Sequence, residues 1–262
     1  MQTLKKNYNS YMENIKMTEN RKVAVIVLAA GKGTRMKSDL PKVMMPLCGK
    51  PMIRHILNTL EDMGVDKIVP VVAKDGEMIS KEVYPYETAV QEKQLGTGHA
   101  AICARSKLCG FEGDIIVMFG DHPVITKETL KKALKKKRQG YSIVVLGFHP
   151  QDALRYGRLI VKNDELVKIV EYKDATDEEK AIKFCNSGVM IFDSDTMFDL
   201  LSSISNENAA GEYYLTDAVS LARRRGLKCG AVECDADELS GANTQEELAA
   251  LEKYLTKRNK GQ

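Results

Sequence analysis

The stretch 28–42, LAAGKGTRMKSDLPK, gathers groups suited to binding anions. Gly31 and Gly33 bare the backbone, and successive N–H groups in a Gly-rich turn form a concave anion site. Arg35 and Lys42 add positive charge beyond the turn. A triphosphate carries about four negative charges, and backbone dipoles alone neutralise it poorly, so the two cations matter. Spacing rejects two familiar phosphate motifs. Met36 stands where a dinucleotide fingerprint needs its third glycine, and no G-x-x-x-x-G-K-[ST] string occurs.

Further along, QEKQLGTGHA (91–100) combines Gln91 with closely spaced glycines. A glutamine amide carries both a donor and an acceptor and can read the edge of a base such as uracil, while glycines admit a flat ring close to the backbone. Gln94 is a secondary candidate in the same block. MFGDHP (118–123) ends an apolar run with Asp121, a carboxylate able to hold a hard divalent cation such as Mg2+. His122 beside it is expected on the surface or in packing. Four later segments, RYGRL (155–159), IVEYKDAT (169–176), FCNSGV (184–189) and GEYYLTD (211–217), supply directional polar groups rather than net charge. Such groups suit the hydroxyls and acyl group of a sugar.

The elements that must position these residues follow from hydrophobic period. KVAVIVLAA (22–30) is a continuous β-branched run, the pattern of a central strand buried on both faces, so the glycines sit at a strand's carboxyl end. PMIRHILNTLEDMG (51–64) places Met52, Ile53, Ile56, Leu57, Leu60 and Met63 on one helical stripe closed by Gly64. KIVPVVA (67–73) and DIIVMF (114–119) read as strands, and TGHAAICARSKL (97–108) as a helix. TKETLKKALKKKRQG (126–140) reads as a helix capped by Thr126. This alternation predicts an α/β fold with a mostly parallel, Rossmann-like sheet flanked by helices. YSIVVLGF (141–148) continues it, after which GRLIVK, LVKIVEY and FCNSGVMIF suggest a small antiparallel insertion. Helices over 212–225 and 244–257, with KCGAVE between them, finish the chain. Residues 1–21 read as a polar extension and 22–258 as one domain.

Composition limits the function classes. The 262 residues carry 39 basic and 36 acidic side chains, a net charge of +3 too small and interspersed to argue for a nucleic-acid or membrane partner. The basic run KKALKKKRQ (131–139) is expected to be a solvated helix face. The six cysteines show neither C-x-x-C pairs nor zinc spacing, and free thiols in a reducing cytoplasm are expected. Neither a signal-peptide pattern nor an apolar run of about 18 residues is present.

Taken together, these strings resemble the signature of sugar-nucleotide pyrophosphorylases in the nucleoside-triphosphate transferase family. More closely, they are similar to the uridyltransferase domain of bifunctional N-acetylglucosamine-1-phosphate uridyltransferases, from about Val23 to about Leu255 and with the motifs in the same order. The resemblance implies a nucleotide-diphospho-sugar transferase fold. It also implies transfer of a uridylyl group from UTP to N-acetylglucosamine 1-phosphate. Leu28, Ala29, Ala30, Gly31 and Gly33 would face the nucleotide, and Gln91, Gly96 and Thr97 the uracil. Gly157, Glu171, Asn186, Tyr214 and Thr216 would bind the amino sugar. Asp121 and Asn243, the latter in LSGANTQEEL (239–248), would hold Mg2+, although Asn243 alone reads as a helix N-cap. The fifteen-residue interval from Glu171 to Asn186 matches the acetylglucosamine-specific members.

In this reading Arg35 holds the β- and γ-phosphates, and Lys42 offsets charge around the α-phosphate, with no side-chain nucleophile required. Phe119 departs from the family, which often has a tyrosine there. No hexapeptide-repeat β-helix follows, so neither acetyl transfer nor trimerisation is carried over, and a monomer is expected. The rival readings are a transferase for another pyrimidine triphosphate or sugar phosphate, and a nucleotide-sugar-binding regulator without turnover.

Overall fold

The structure, a computed structural model, describes residues 21–31, 33, 36, 38–153, 156–239 and 241–260. Residues 1–20 of the expected extension, and Arg35, lie outside the described residues. Nine strands among the described residues build one sheet: β1 Val23–Leu28, β2 Lys67–Ala73, β3 Ala89–Gln91, β4 Asp114–Phe119, β5 Ile143–Phe148, β6 Arg158–Lys162, β7 Glu165–Val170, β8 Cys185–Asp193 and β9 Cys229–Glu233. The order is β9-β5-β8-β4-β1-β2-β3, with the β6–β7 hairpin joined through β8.

The α/β expectation is borne out. Strands β4, β1, β2 and β3 are parallel neighbours, and β9 is parallel to β5. Helices α1 Met52–Met63, α2 Glu77–Glu82, α3 Thr97–Cys103, α4 Lys127–Lys137, α5 Ser194–Ser202, α6 Asp217–Arg224 and α7 Gln245–Lys260 flank the sheet. β1 shows why a sequence without alternation makes a central strand. Val23, Val25 and Val27 pack on one side with α1 and α4, while Ala24, Ile26 and Leu28 pack on the other with α3, α5 and α6. Both faces are buried, so both must be apolar.

Three of the expected elements change. The pattern of FCNSGVMIF suggests the insertion, yet β8 lies inside the main sheet, antiparallel to both β4 and β5. Its length and complete burial over Cys185–Phe192 make it a core strand, and only β6 and β7 form the small antiparallel hairpin. The helix expected over 97–108 ends at Cys103 and tightens into a 3-10 turn over Arg105–Leu108. The helix expected from 212 starts at Asp217 instead. Tyr213 is drawn into backbone pairing, its N–H donating to Leu95 O at 2.8 Å and its carbonyl accepting from Gly98 N at 2.8 Å.

A third apolar cluster lies below the phosphate turn. Leu248, Leu251 and Leu255 of α7 pack with Met36, Met45, Leu47, Met52, Val124 and Ala242. Gln245 Nε2 also donates to Met36 O at 3.3 Å. The residue that breaks the dinucleotide fingerprint is thus a core anchor, 1% exposed, tying the turn to the far end of the chain.

The basic helix is not solvated throughout. Lys131, Lys132 and Lys135 are exposed, but Lys137 is 3% exposed and bonds Asp193 Oδ1 at 2.7 Å. Arg138 Nε reaches Oδ2 of the fully buried Asp114 at 3.0 Å, and Arg21 and Lys137 lie 3.6 and 3.7 Å from its Oδ1. These cations neutralise a carboxylate at the start of β4, which water cannot reach. Removing one partner from such a group strands the remaining charges. Asp114→Asn should therefore cost about 3 kcal/mol in urea unfolding, whereas Lys131→Ala should stay within about 0.5 kcal/mol of the parent.

Candidate active site

The described strands end on one edge where the sequence motifs converge. β1 runs into Ala29, Ala30 and Gly31, β3 ends at Gln91, and β4 leads through Phe119 to Asp121. Ligands in open α/β sheets bind beyond such carboxyl ends. The reversal of β8 adds a less obvious contribution. Because Met190 pairs with Val117 and Asp193 with Asp114, its first residues, Asn186 to Gly188, lie at the edge where β4 finishes.

Two cavities open here. One, about 340 Å³, is lined by all the described residues expected at the nucleotide: Leu28, Ala29, Ala30, Gly31, Gly33, Gln91, Gly96 and Thr97. The other, about 390 Å³, is lined by Gly157, Glu171, Asn186, Tyr214 and Thr216, with Asn243. Both fall within the range of small-ligand pockets. They share Lys42, Thr97, Phe119, Asp121 and Glu212.

At the junction the ammonium of Lys42 contacts Asp121 Oδ2 and donates to Asn243 Oδ1 at 2.7 Å. Pro41 leads Lys42 into a short 3-10 turn whose Val43 is buried. Gly33 lets that turn come close. Its φ is +60°, and a Cβ there would stand 2.5 Å from Lys42 Cβ. Asn243 reaches Lys42 with its side chain and is not the cap of α7. Thr244 takes that part, its Oγ1 accepting from Glu247 N at 3.2 Å, which corrects the N-cap expectation.

Burial opposes the charged form of Asp121, but the neighbouring His122 ring and the Lys42 ammonium outweigh it and hold the carboxyl below its ordinary value of 3.8. Asp121 Oδ1 is buried without a hydrogen-bond partner, a position that a cation would satisfy. Among the described residues no cluster of three or more His, Cys, Asp or Glu side chains could hold a metal. Asp121 with the Asn243 amide oxygen is instead a sparse oxygen pair. That suits Mg2+, which keeps water and substrate phosphates in its shell. His122 is buried rather than surface-exposed, its ring edge-on to Phe119 at 5.9 Å, and burial pushes its imidazole below 6.5.

Phe119 forms a wall common to both cavities. Gly188 has φ +86°, and a Cβ there would come within 1.9 Å of the Phe119 ring. Phe119, where the resemblance leads one to expect a tyrosine, makes an apolar contact with β8.

Hydrogen bonds decide what each polar group has left to offer. Gln91 Nε2 donates to Gly96 O at 3.1 Å and faces His99 Nδ1 at 3.0 Å, so its free group is Oε1 alone, not the donor and acceptor expected. Gln94 Nε2 donates to Ala30 O at 2.8 Å and clamps the turn. Thr97 Oγ1 accepts from Leu215 N at 3.0 Å, which leaves its proton to give. In the second cavity Asn186 Oδ1 accepts from Gly188 N at 2.9 Å, leaving the Asn186 NH2 as a donor. Gly157 O accepts from Asn186 N at 2.8 Å, so the amide N–H is what Gly157 retains. Glu171 Oε1 accepts from Thr216 Oγ1 at 2.9 Å. Glu212, inside a quoted motif but not singled out in it, lines both cavities and is the residue that sequence reasoning missed.

This sheet, with paired cavities at its carboxyl edge and a cation–carboxylate junction between them, defines a nucleotidyltransferase of the α/β class. The chain belongs to the MobA-like NTP transferase domain family, which it matches over residues 25–187. It is 48% identical over 239 residues to the bifunctional protein GlmU of Paramagnetospirillum magneticum, a match covering 90% of this chain and 53% of that protein. It is 47% identical to GlmU of Rhodospirillum rubrum, with 89% and 53% covered. The chain thus spans about half the length of the curated relatives it matches. A crystal structure of UDP-glucose pyrophosphorylase complexed with UDP-glucose shares the fold at a TM-score of 0.71 and 20% identity, over 90% of this chain and 99% of that one.

Glu171 yields a test of the site's electrostatics. Burial raises its carboxyl above 4.5, and the carboxylates of Asp217, Asp174 and Glu212 add to the shift against the Thr216 hydroxyl. The folded chain therefore holds this proton more tightly than the unfolded chain, and stability falls as pH rises through the folded value. Glu171→Gln keeps an oxygen for Thr216 without the charge. Its thermal midpoint should match the parent below about pH 4 and exceed it as pH rises through the folded value, as followed by calorimetry.

Proposed function

We propose that the chain catalyses Mg2+-dependent uridylyl transfer from UTP to N-acetylglucosamine 1-phosphate, giving UDP-N-acetylglucosamine and pyrophosphate. The observation that carries this reading is the meeting of the two cavities at Lys42 and Asp121. A nucleotide in one and a sugar 1-phosphate in the other would bring their phosphates together there. A sugar-phosphate oxygen attacks the α-phosphorus, a new P–O bond forms, and the bond to the β-phosphate oxygen breaks with release of pyrophosphate. The attacking phosphate is already ionised at neutral pH, so positioning and charge stabilisation carry the rate.

Lys42 sits where negative charge accumulates at the α-phosphate and the leaving group. Gly31 and Gly33 present backbone to the phosphates, and Arg35, by its place in the motif, is assigned to the β- and γ-phosphates. Mg2+ held by Asp121 and Asn243 would supply further charge compensation. The Gln91 oxygen suits the N3–H of uracil. The Asn186 amide, the Gly157 N–H and the Glu171 carboxylate offer two donors and an acceptor to the amino sugar. The UDP-glucose held by the structural neighbour and the GlmU relatives support a nucleotide sugar as product. Consumption of UTP would fit a cytoplasmic location; no described helix is long and apolar enough to cross a membrane.

Pyrophosphate release should be measured with UTP, CTP, dTTP and GTP against N-acetylglucosamine 1-phosphate and glucose 1-phosphate, with and without Mg2+. UTP with N-acetylglucosamine 1-phosphate should give the highest kcat/KM, and chelation should abolish turnover. Lys42→Ala should lower kcat by about 100- to 1000-fold with little change in the KM for UTP. A rate within a few-fold of the parent would remove Lys42 from the mechanism.

A further inference from the structure

His99 is half-buried on α3 and is not among the residues that line the nucleotide cavity, yet it touches Gln91, a side chain there able to read a base edge. Gln91 is 4% exposed at the end of β3. Its amide nitrogen carries two hydrogens, and the structure shows two acceptors for them: Gly96 O at 3.1 Å and His99 Nδ1 at 3.0 Å. His99 can accept at Nδ1 only as the neutral ring with its proton on Nε2. With the ring in that tautomer, turning the amide over would set the Gln91 oxygen against the Gly96 carbonyl oxygen and a ring lone pair, two repulsive contacts in place of two bonds. No described residue donates to Gln91 Oε1, and that oxygen remains for the cavity.

We propose that His99 is a positioning residue for base recognition: it holds the Gln91 amide with its oxygen towards the nucleotide and so selects a pyrimidine that carries a ring N–H. Uracil presents a proton at N3, whereas cytosine presents a lone pair there, which would meet the lone pairs of Oε1. A buried polar group that a wrong ligand leaves unpaired discriminates strongly, because its desolvation is not recovered. Gly96 O alone fixes one hydrogen of the amide; His99 fixes the second and removes the freedom to tilt or turn over. The inference rests on the proposed uridylyl transfer and deepens it by saying how the base is chosen.

The test compares UTP and CTP in the full chain carrying His99→Leu, which has no acceptor, and His99→Asn, whose amide oxygen can stand in for Nδ1. Steady-state kcat and KM and the equilibrium binding of each nucleotide are measured, with thermal midpoints to establish folding. In H99L the KM for UTP should rise about tenfold with kcat within about twofold, while CTP binding is unchanged or stronger. The preference for UTP should then fall about tenfold, and H99N should recover most of it. An unchanged preference in folded H99L overturns the inference and leaves the proposed function standing. So does an equal loss for both nucleotides without recovery in H99N, which is the mark of a merely structural residue. If H99L does not fold, H99N decides, since loss of UTP preference in that variant also overturns the inference. A parent chain that binds CTP as well as UTP overturns both readings.

Discussion

The ammonium of Lys42 holds one carboxylate and one amide oxygen from far apart in the chain, 79 and 201 residues away. Every other feature of the site is arranged around that contact. Gly33 must lack a side chain for the Lys42 turn to approach, and Met36 must be buried under α7 for the same turn to stay in place. Thr244 caps α7, and Asn243 reaches Lys42 with its side chain. The apolar cluster of Met36, Ala242 and the α7 leucines is therefore the support on which a polar junction is built. It sets the separation of cation and oxygens through close packing, which tolerates little displacement.

The second constraint is the direction of β8. A strand parallel to its neighbours would present Asn186–Gly188 at the opposite edge of the sheet, remote from Asp121. Running antiparallel, it delivers the start of the strand to the edge where β4 ends, and Gly188 accommodates the Phe119 ring there. The pairing of Tyr213 with Leu95 and Gly98 then closes the site from the other side. It joins the segment bearing Glu212, Tyr214 and Thr216 to the turn bearing Gly96 and Thr97. Two cavities share a wall because two segments share backbone hydrogen bonds.

The site is polar, and its electrostatics oppose stability. Glu171 is half-buried near other carboxylates, and burial, with Asp174, Glu171 and Glu212 alongside, pushes the Tyr214 hydroxyl up to about 12. Such groups are retained at a cost when a ligand needs directional partners rather than net charge. Asp114 shows the opposite arrangement. Its carboxylate is fully buried but is surrounded by cations, and it serves the framework instead of a ligand.

Much of this was legible in the sequence, for physical reasons that vary by residue. β1, β2 and β4 were readable because both sheet faces are covered and the runs are continuously apolar, and α1 because its stripe has a single period ending at Gly64. The phosphate turn was readable because its chemistry is local: glycines and cations a few residues apart must act together. The remainder depended on long-range pairing, which leaves no local mark. An isolated FCNSGVMIF reads the same in a hairpin as in a core sheet, and only burial between β4 and β5 decides. Lys137 looks like any lysine of its helix until Asp114 and Asp193 arrive from elsewhere in the fold. The sequence by itself determined which residue types could bind phosphate, cation and sugar, since those are properties of side chains. Tertiary structure alone decided which atoms remain free to do so, because Gln91, Asn186 and Gly157 each spend part of their hydrogen-bonding capacity on neighbours that only folding supplies.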